Sequence, residues 1–238
     1  MTQATSILAD RTEGELLDRL TGHPALQSLD SWPPERFLAM LLQRRFVSLI
    51  FTPMYDIAID ALRDPPAIRL VRQILREEYP GRFGRQPSHR EDLVHDLLVL
   101  GATTDQVLAC RPTPTTSSIL TDTLHLMSDA AHDASDLRIL TIVRFWGEVV
   151  VSVEYGEYWK RMAAQFDAAG VRSRFYFTHY SHDGRESLVT ASTRSRTHSG
   201  RLGARVKQLL AASGTGDEFA DLEAQVLELR LRFYDQFL

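Results

Sequence analysis

The sequence predicts an all-α fold: a single domain over residues 1–238, built as one bundle of about seven or eight helices. Three observations lead there. Apolar residues recur with helical spacing in segment after segment. Helix start and stop signals bracket those segments. The chain is also long enough for one sizeable core, with 238 residues, 44% apolar and 24% charged.

Residues 1–20 are read as a flexible or peripheral segment of that domain. ERFLAMLLQRRFVSLIF follows Pro33-Pro34 and sets Phe37, Met40, Leu41 and Phe46 near one stripe. AIRLVRQILREEY repeats the pattern and stops at Pro80-Gly81. In PSHREDLVHDLLVLG, Ser88 with Glu91 three residues later forms a capping box, and Gly101 closes the helix. CRPTPTTSS, residues 110–118, reads as a loop. SDLRILTIVRFWGEVVVSVEYGEYWKRMAAQF reads as one long helix ending at Ala169-Gly170, with Gly147 and Gly156 as the places for a kink. TASTRSRTHSGRLG reads as a loop or a frayed helix, and DEFADLEAQVLELRLRFYDQFL as an amphipathic helix. No internal repeat stands out.

The net charge is −4, with no block of like charge, which argues against nucleic acid or an anionic membrane as partner. FVSLIFTPMYDIAIDAL comes nearest to a membrane span, but Pro53, Asp56 and Asp60 interrupt it, so no span is expected. One cysteine, Cys110, excludes an internal disulfide and fits a reducing cytoplasm.

Several side chains are of metal-ligand type. Glu148 is the only charge between Arg144 and Glu154, inside an apolar helix. A buried carboxylate must be paired, protonated or metal-bound. An arginine ion pair is the plain alternative. Glu154 lies about 120° away around an α-helix and should face another neighbour. Glu77 and Glu78 end one helix and His89 begins the next, so the turn YPGRFGRQP could bring them together; solvated ends are the alternative. In FTHYSHDGRES, residues 177–187, helical winding places His179, Asp183 and Glu186 on one face. A hairpin turning at Asp183-Gly184 is equally open on local chemistry, with the acids at its tip. A mixed carboxylate–imidazole set suits iron or manganese better than structural zinc. His95, His125, His132 and His198 are read as surface residues. Trp146, Tyr155, Trp159 and Phe175 are candidates for a pocket lining, and Arg44, Arg45 and Arg144 for a substrate-carboxylate clamp.

LLQRRFVSLIF, then ILREEYPGRFGRQPSHREDLVHDLLVLGA, Glu148, the His179 segment and the closing RLRFYDQFL resemble, in order and spacing, the haem-oxygenase-like di-iron oxidases and oxygenases, over most of residues 20–238. The resemblance implies metal ligands Glu78, His89, Glu148, His179 and Asp183, with Glu78 preferred to Glu77 and Glu148 to Glu154. Glu186 stands where the family has a histidine, a departure that bears on the second metal. The resemblance further implies two Fe(II) ions with O2 as co-substrate, and a small amino-acid-like or fatty-acid-like substrate in specialised metabolism. The reaction would be N-oxygenation, C–C cleavage or desaturation, with Glu78 and Glu148 as shifting or bridging carboxylates. It leaves room for an external electron donor and for a homodimer. Related helical families in thiamin salvage and quinone-cofactor formation work without metal in the same pocket. A non-catalytic helical interaction protein is the remaining alternative.

Overall fold

Helix boundaries follow local capping chemistry. The computed structural model describes residues 3–81, 86–182, 185, 188–213 and 216–238. In chain order the helices are α1 (Gln3–Thr21), α2 (Pro24–Gln27), α3 (Pro34–Leu49), α4 (Phe51–Ala61), α5 (Pro65–Glu77), α6 (His89–Val99), α7 (Thr104–Ala109), α8 (Pro114–His132), α9 (Asp136–Arg144), α10 (Val150–Ala169), α11 (Tyr176–His182), α12 (His198–Ser213) and α13 (Gly216–Asp235). No strand occurs among the described residues. The Ser88–Glu91 capping box opens α6 as expected. Gly170 ends α10 in the left-handed region at φ 62°, which costs glycine little. Asp64 caps α5 by accepting from the Ala67 amide at 2.8 Å.

Between α9 and α10 the backbone does not break. Residues Phe145–Val149 form a π-helical turn, in which the Val150 amide donates back to the Phe145 carbonyl. Such a turn widens the helix and often marks a functional position. Gly147 sits inside it. A Cβ there would lie 3.3 Å from Phe51 Cε2 and 3.4 Å from the Tyr55 hydroxyl, so the bare backbone lets α4 approach. The irregularity expected near Gly147 is therefore this turn.

The buried side chains form one contiguous apolar cluster drawn from almost every helix. α10 packs along α11, α12 against α9 and α5, and α13 against α1, α8 and α9. Together, Pro34–Ala61 is apolar and long enough to cross a membrane, yet half of that stretch is buried inside the protein. Met40, Leu41, Val47, Met54, Tyr55 and Ala58 all point into the core.

Three expectations are corrected. The N-terminal segment is not peripheral. Leu16, Leu17 and Leu20 are buried, and Glu13 of α1 pairs with buried Arg144. The loop expected over 110–118 ends early, because Thr113 caps a helix that has Pro114 in its first turn. The hairpin alternative for residues 177–187 fails, since the chain is helical through His182.

Candidate functional site

A cavity of about 550 Å³ opens where α3, α4, α5, α6, the π turn, α10, α11 and α12 meet. Phe51, Trp146, Val151 and Phe175 supply apolar wall. Into it project most of the polar side chains singled out from the sequence.

Glu78, His89 and His179 converge there, each half-buried, with one donor atom from each within 4.8 Å of the others. Glu78 is the C-cap residue of α5, and His89 is the first residue of α6. The short connection between those helices thus presents both side chains together. His89 Nδ1 lies 2.7 Å from Glu78 Oε1. The His89 and His179 rings meet edge-on at 4.8 Å between centroids. His179 Nδ1 donates to the Phe175 carbonyl at 2.7 Å. That bond holds the proton on Nδ1 and assigns the lone pair to Nε2.

The placement of His179 depends on a residue that sequence inspection passed over. Asp96 of α6 is fully buried and accepts from Ser173 Oγ at 2.5 Å. It also accepts from the amides of Arg174 (2.9 Å), Phe175 (2.9 Å) and Tyr176 (3.2 Å). It therefore anchors the start of α11. Asp96 is seven residues from His89, two helical turns along the same face of α6. One helix thus carries one histidine and fixes the other.

Glu148 enters the same cavity from the π turn and is buried. It does not join the Glu78–His89–His179 group. Its Oε1 accepts from the Tyr55 hydroxyl at 2.5 Å, and its Oε2 lies 3.4 Å from His198 Nδ1. His198 opens α12, and its Nε2 lies 3.3 Å from Glu77 Oε2. The surface reading of His198 is thus wrong: it is 5% exposed and faces the cavity. His125 and His132 are exposed as expected, and His95 is half-buried against Asp96 at 3.1 Å. Asp183 and Glu186 lie outside the described residues.

Glu154, the alternative to Glu148, has the ion pair that was considered for Glu148. Its Oε2 accepts from Arg44 Nη2 at 2.7 Å and from Arg230, while Tyr234 donates to Oε1 at 2.6 Å. Tyr158 extends the network through a 2.5 Å contact with the Tyr234 hydroxyl. Two guanidiniums share one carboxylate here, and their pKa values part. Burial alone lowers Arg44, but Glu154 and three tyrosines outweigh it and hold its pKa well above the ordinary value. For Arg230 burial prevails over Glu154, and the neighbouring Arg44 adds to the downward shift. Burial raises the Tyr155, Tyr158, Tyr176 and Tyr234 phenols, keeping them protonated.

Of the proposed clamp arginines, only Arg44 lines the cavity, and Glu154 occupies it. Arg144 is buried against Glu13 and Glu223, and Arg45 donates to the Val107 carbonyl at 3.0 Å. Trp146, Tyr155 and Phe175 do line the cavity. Trp159 packs instead on Phe166 and Phe177.

No protein-family model matches the sequence, and no curated protein matches it significantly. Solved structures do match. A TenA family transcription regulator from Silicibacter sp. TM1040 aligns over 98% of this chain and 96% of its own, with a TM-score of 0.62 at 13% identity. A TenA homologue from P. horikoshii OT3 aligns over 98% and 97%, with a TM-score of 0.58 at 16% identity. The chain has the haem-oxygenase-like all-helical fold of those proteins. At such identities the likeness speaks to the fold, and the chemistry has to be argued from the site.

Proposed function

We propose that the protein is a metal-dependent enzyme of the haem-oxygenase-like fold that uses O2 to oxidise a small organic substrate. The observation that carries this reading is the convergence of Glu78, His89 and His179 on one cavity. Two imidazoles and one carboxylate are the donor set of non-haem Fe(II) oxygenases, and they leave coordination positions open. The fit is good. Donors held about 2.1 Å from one ion lie about 3–4 Å apart, and here their spread is within 4.8 Å. A small inward movement of one side chain closes the set.

A bound Fe(II) supplies the one-electron chemistry that O2 needs to react with a closed-shell organic molecule. The chain's own residues do the rest. Phe175 fixes the tautomer of His179, and Asp96 fixes the start of the helix that carries it. Phe51, Trp146, Val151 and Phe175 keep that side of the cavity apolar and exclude water from it. Glu148, held by Tyr55, sets a carboxyl group on the cavity wall.

A second reading is metal-free acid–base chemistry on a thiamin-like small molecule. The structural likeness to TenA proteins favours it. The two readings separate in one experiment. The purified protein is loaded anaerobically with Fe(II), its bound metal is counted, and O2 uptake is followed with free amino acids and fatty acids. The oxidase reading expects metal binding that is lost in His89→Ala and His179→Ala, together with substrate-dependent O2 uptake. No retained iron, with turnover of thiamin-like substrates in chelator, overturns it.

A further inference from the structure

We infer that Tyr155, Tyr158 and Tyr234 form an internal electron path to the cavity, with Tyr234 as a one-electron donor to the O2-derived oxidant formed beside His179. The inference rests on the metal-dependent reading above, but its residues bind no metal.

Four observations point to it. The tyrosines follow one another without a break from the cavity into the core. His179 meets Tyr155 edge-on at 5.9 Å between centroids, and Tyr155 itself lines the cavity. Tyr155 meets Tyr158 at 5.8 Å, and the Tyr158 hydroxyl lies 2.5 Å from that of Tyr234. Electron tunnelling weakens steeply with distance, so adjoining rings replace one long step by short ones. Secondly, the far end of the path holds a proton acceptor. A phenol yields an electron far more easily when its proton leaves at the same time. The Tyr234 hydroxyl donates to Glu154 Oε1 at 2.6 Å, and both residues are fully buried. The Tyr234 oxygen therefore accepts from Tyr158. Thirdly, the phenols keep their protons at rest, because burial raises all three. Lastly, charge separates the rings by role. Trp146 also lines the cavity, but the Arg230 guanidinium stands 5.7 Å from its ring centre. A cation that is drawn to a neutral ring is repelled by an oxidised ring that keeps its charge. Arg44 stands 5.2 Å from the Tyr155 ring, so Tyr155 is the bridge and Tyr234 the donor.

The step balances. One electron leaves Tyr234 through Tyr158 and Tyr155 and reduces the oxidant by one electron. The phenolic proton crosses the existing hydrogen bond to Glu154. The products are a neutral tyrosine radical and a carboxylic acid, and Glu154 stays between its two arginines throughout. Arg44 and Arg230 outnumber Glu154. That surplus positive charge reserves the electron for a strong oxidant. A one-electron reductant from solution then restores the phenol.

The test uses the full-length protein, loaded anaerobically with Fe(II) and its bound iron counted. It is mixed without substrate with O2, and in parallel with H2O2, then freeze-quenched and read by electron paramagnetic resonance. A tyrosine radical signal is expected, and it should narrow when the protein is made with ring-deuterated tyrosine. Tyr234→Phe should bind the same amount of iron and lose the signal. Should that variant fail to fold, Tyr158→Phe breaks the path one step nearer the cavity and should lose most of the signal. Retained iron with no tyrosine signal under either oxidant refutes the path and leaves the metal-dependent reading standing. So does a signal that survives intact in Tyr234→Phe. If no iron is retained, both fall.

Discussion

Glu148 and Glu154 sit six residues apart on one continuous helical run, and both are buried. Their surroundings differ completely. Glu154 is saturated by two arginines and a tyrosine and does not itself line the cavity. Glu148 has a tyrosine and a histidine beside it and an open cavity in front. Burial by itself therefore says little about what a carboxylate does. The partners decide: a carboxyl group matched by fixed guanidiniums holds the fold, and one left with a phenol and an imidazole beside a cavity is available for chemistry.

Removing each carboxylate should expose that difference. The largest effect on stability is expected at Glu154. Glu154→Ala leaves Arg44 and Arg230 buried around a hole and should cost about 3–5 kcal/mol. Urea unfolding followed by circular dichroism reads the loss; a loss below about 1 kcal/mol would mean that the arginines find water or another acid.

Asp96 comes next. Asp96→Ala strands buried donors at the start of α11 and should cost about 1–3 kcal/mol. Because α11 carries His179, Co(II) affinity at the Glu78–His89–His179 group should fall in the same variant, with partial recovery in Asp96→Asn. Unchanged Co(II) affinity would show that Asp96 supports only the fold.

A smaller, pH-dependent effect belongs to Glu223. Burial, with Glu13 adding to it, pushes its carboxyl well above the usual range, against the pull of Arg144. An acid whose pKa is raised on folding holds its proton more tightly when folded. Stability is then lost as pH rises from the ordinary carboxylate range, near pH 4.5, through the raised folded-state value. Glu223→Gln should flatten that part of the profile. Melting temperatures across the acidic-to-neutral range check this, and an identical slope in the variant would refute it. The smallest change is expected for Glu148→Gln, within about 1 kcal/mol, since the amide oxygen still accepts from Tyr55.

Much of the architecture could be read from local signals, because those signals act locally. The Ser88–Glu91 box, the glycine stop at 170 and the helical stripes state their structure within a few residues. Glu78 and His89 were legible for the same reason, since only eleven positions separate them. Glu154's partners were not, because Arg44 and Arg230 arrive from 110 and 76 residues away. His198 was the hardest. It lies in the polar run TASTRSRTHSG, which has every local mark of a surface loop. Only the packing of α12 on α5 and α9 turns it inward, and no short-range pattern encodes that. Asp96 carried a faint signal, an acid two turns from His89 on the same helix face.

The π turn at Phe145–Val149 has a consequence for how this helix tolerates change. A π turn is a helix with one residue too many. Deleting one of the five would restore regular winding and leave the helix on either side in phase, because the wide turn already absorbs the surplus residue. Arg144 would keep its direction toward Glu13 and Glu154 would keep its arginines. Only the side chains inside the turn, Glu148 among them, would change the direction they face. The surplus residue thus sets how one short stretch meets the cavity, while the rest of the helix is indifferent to it.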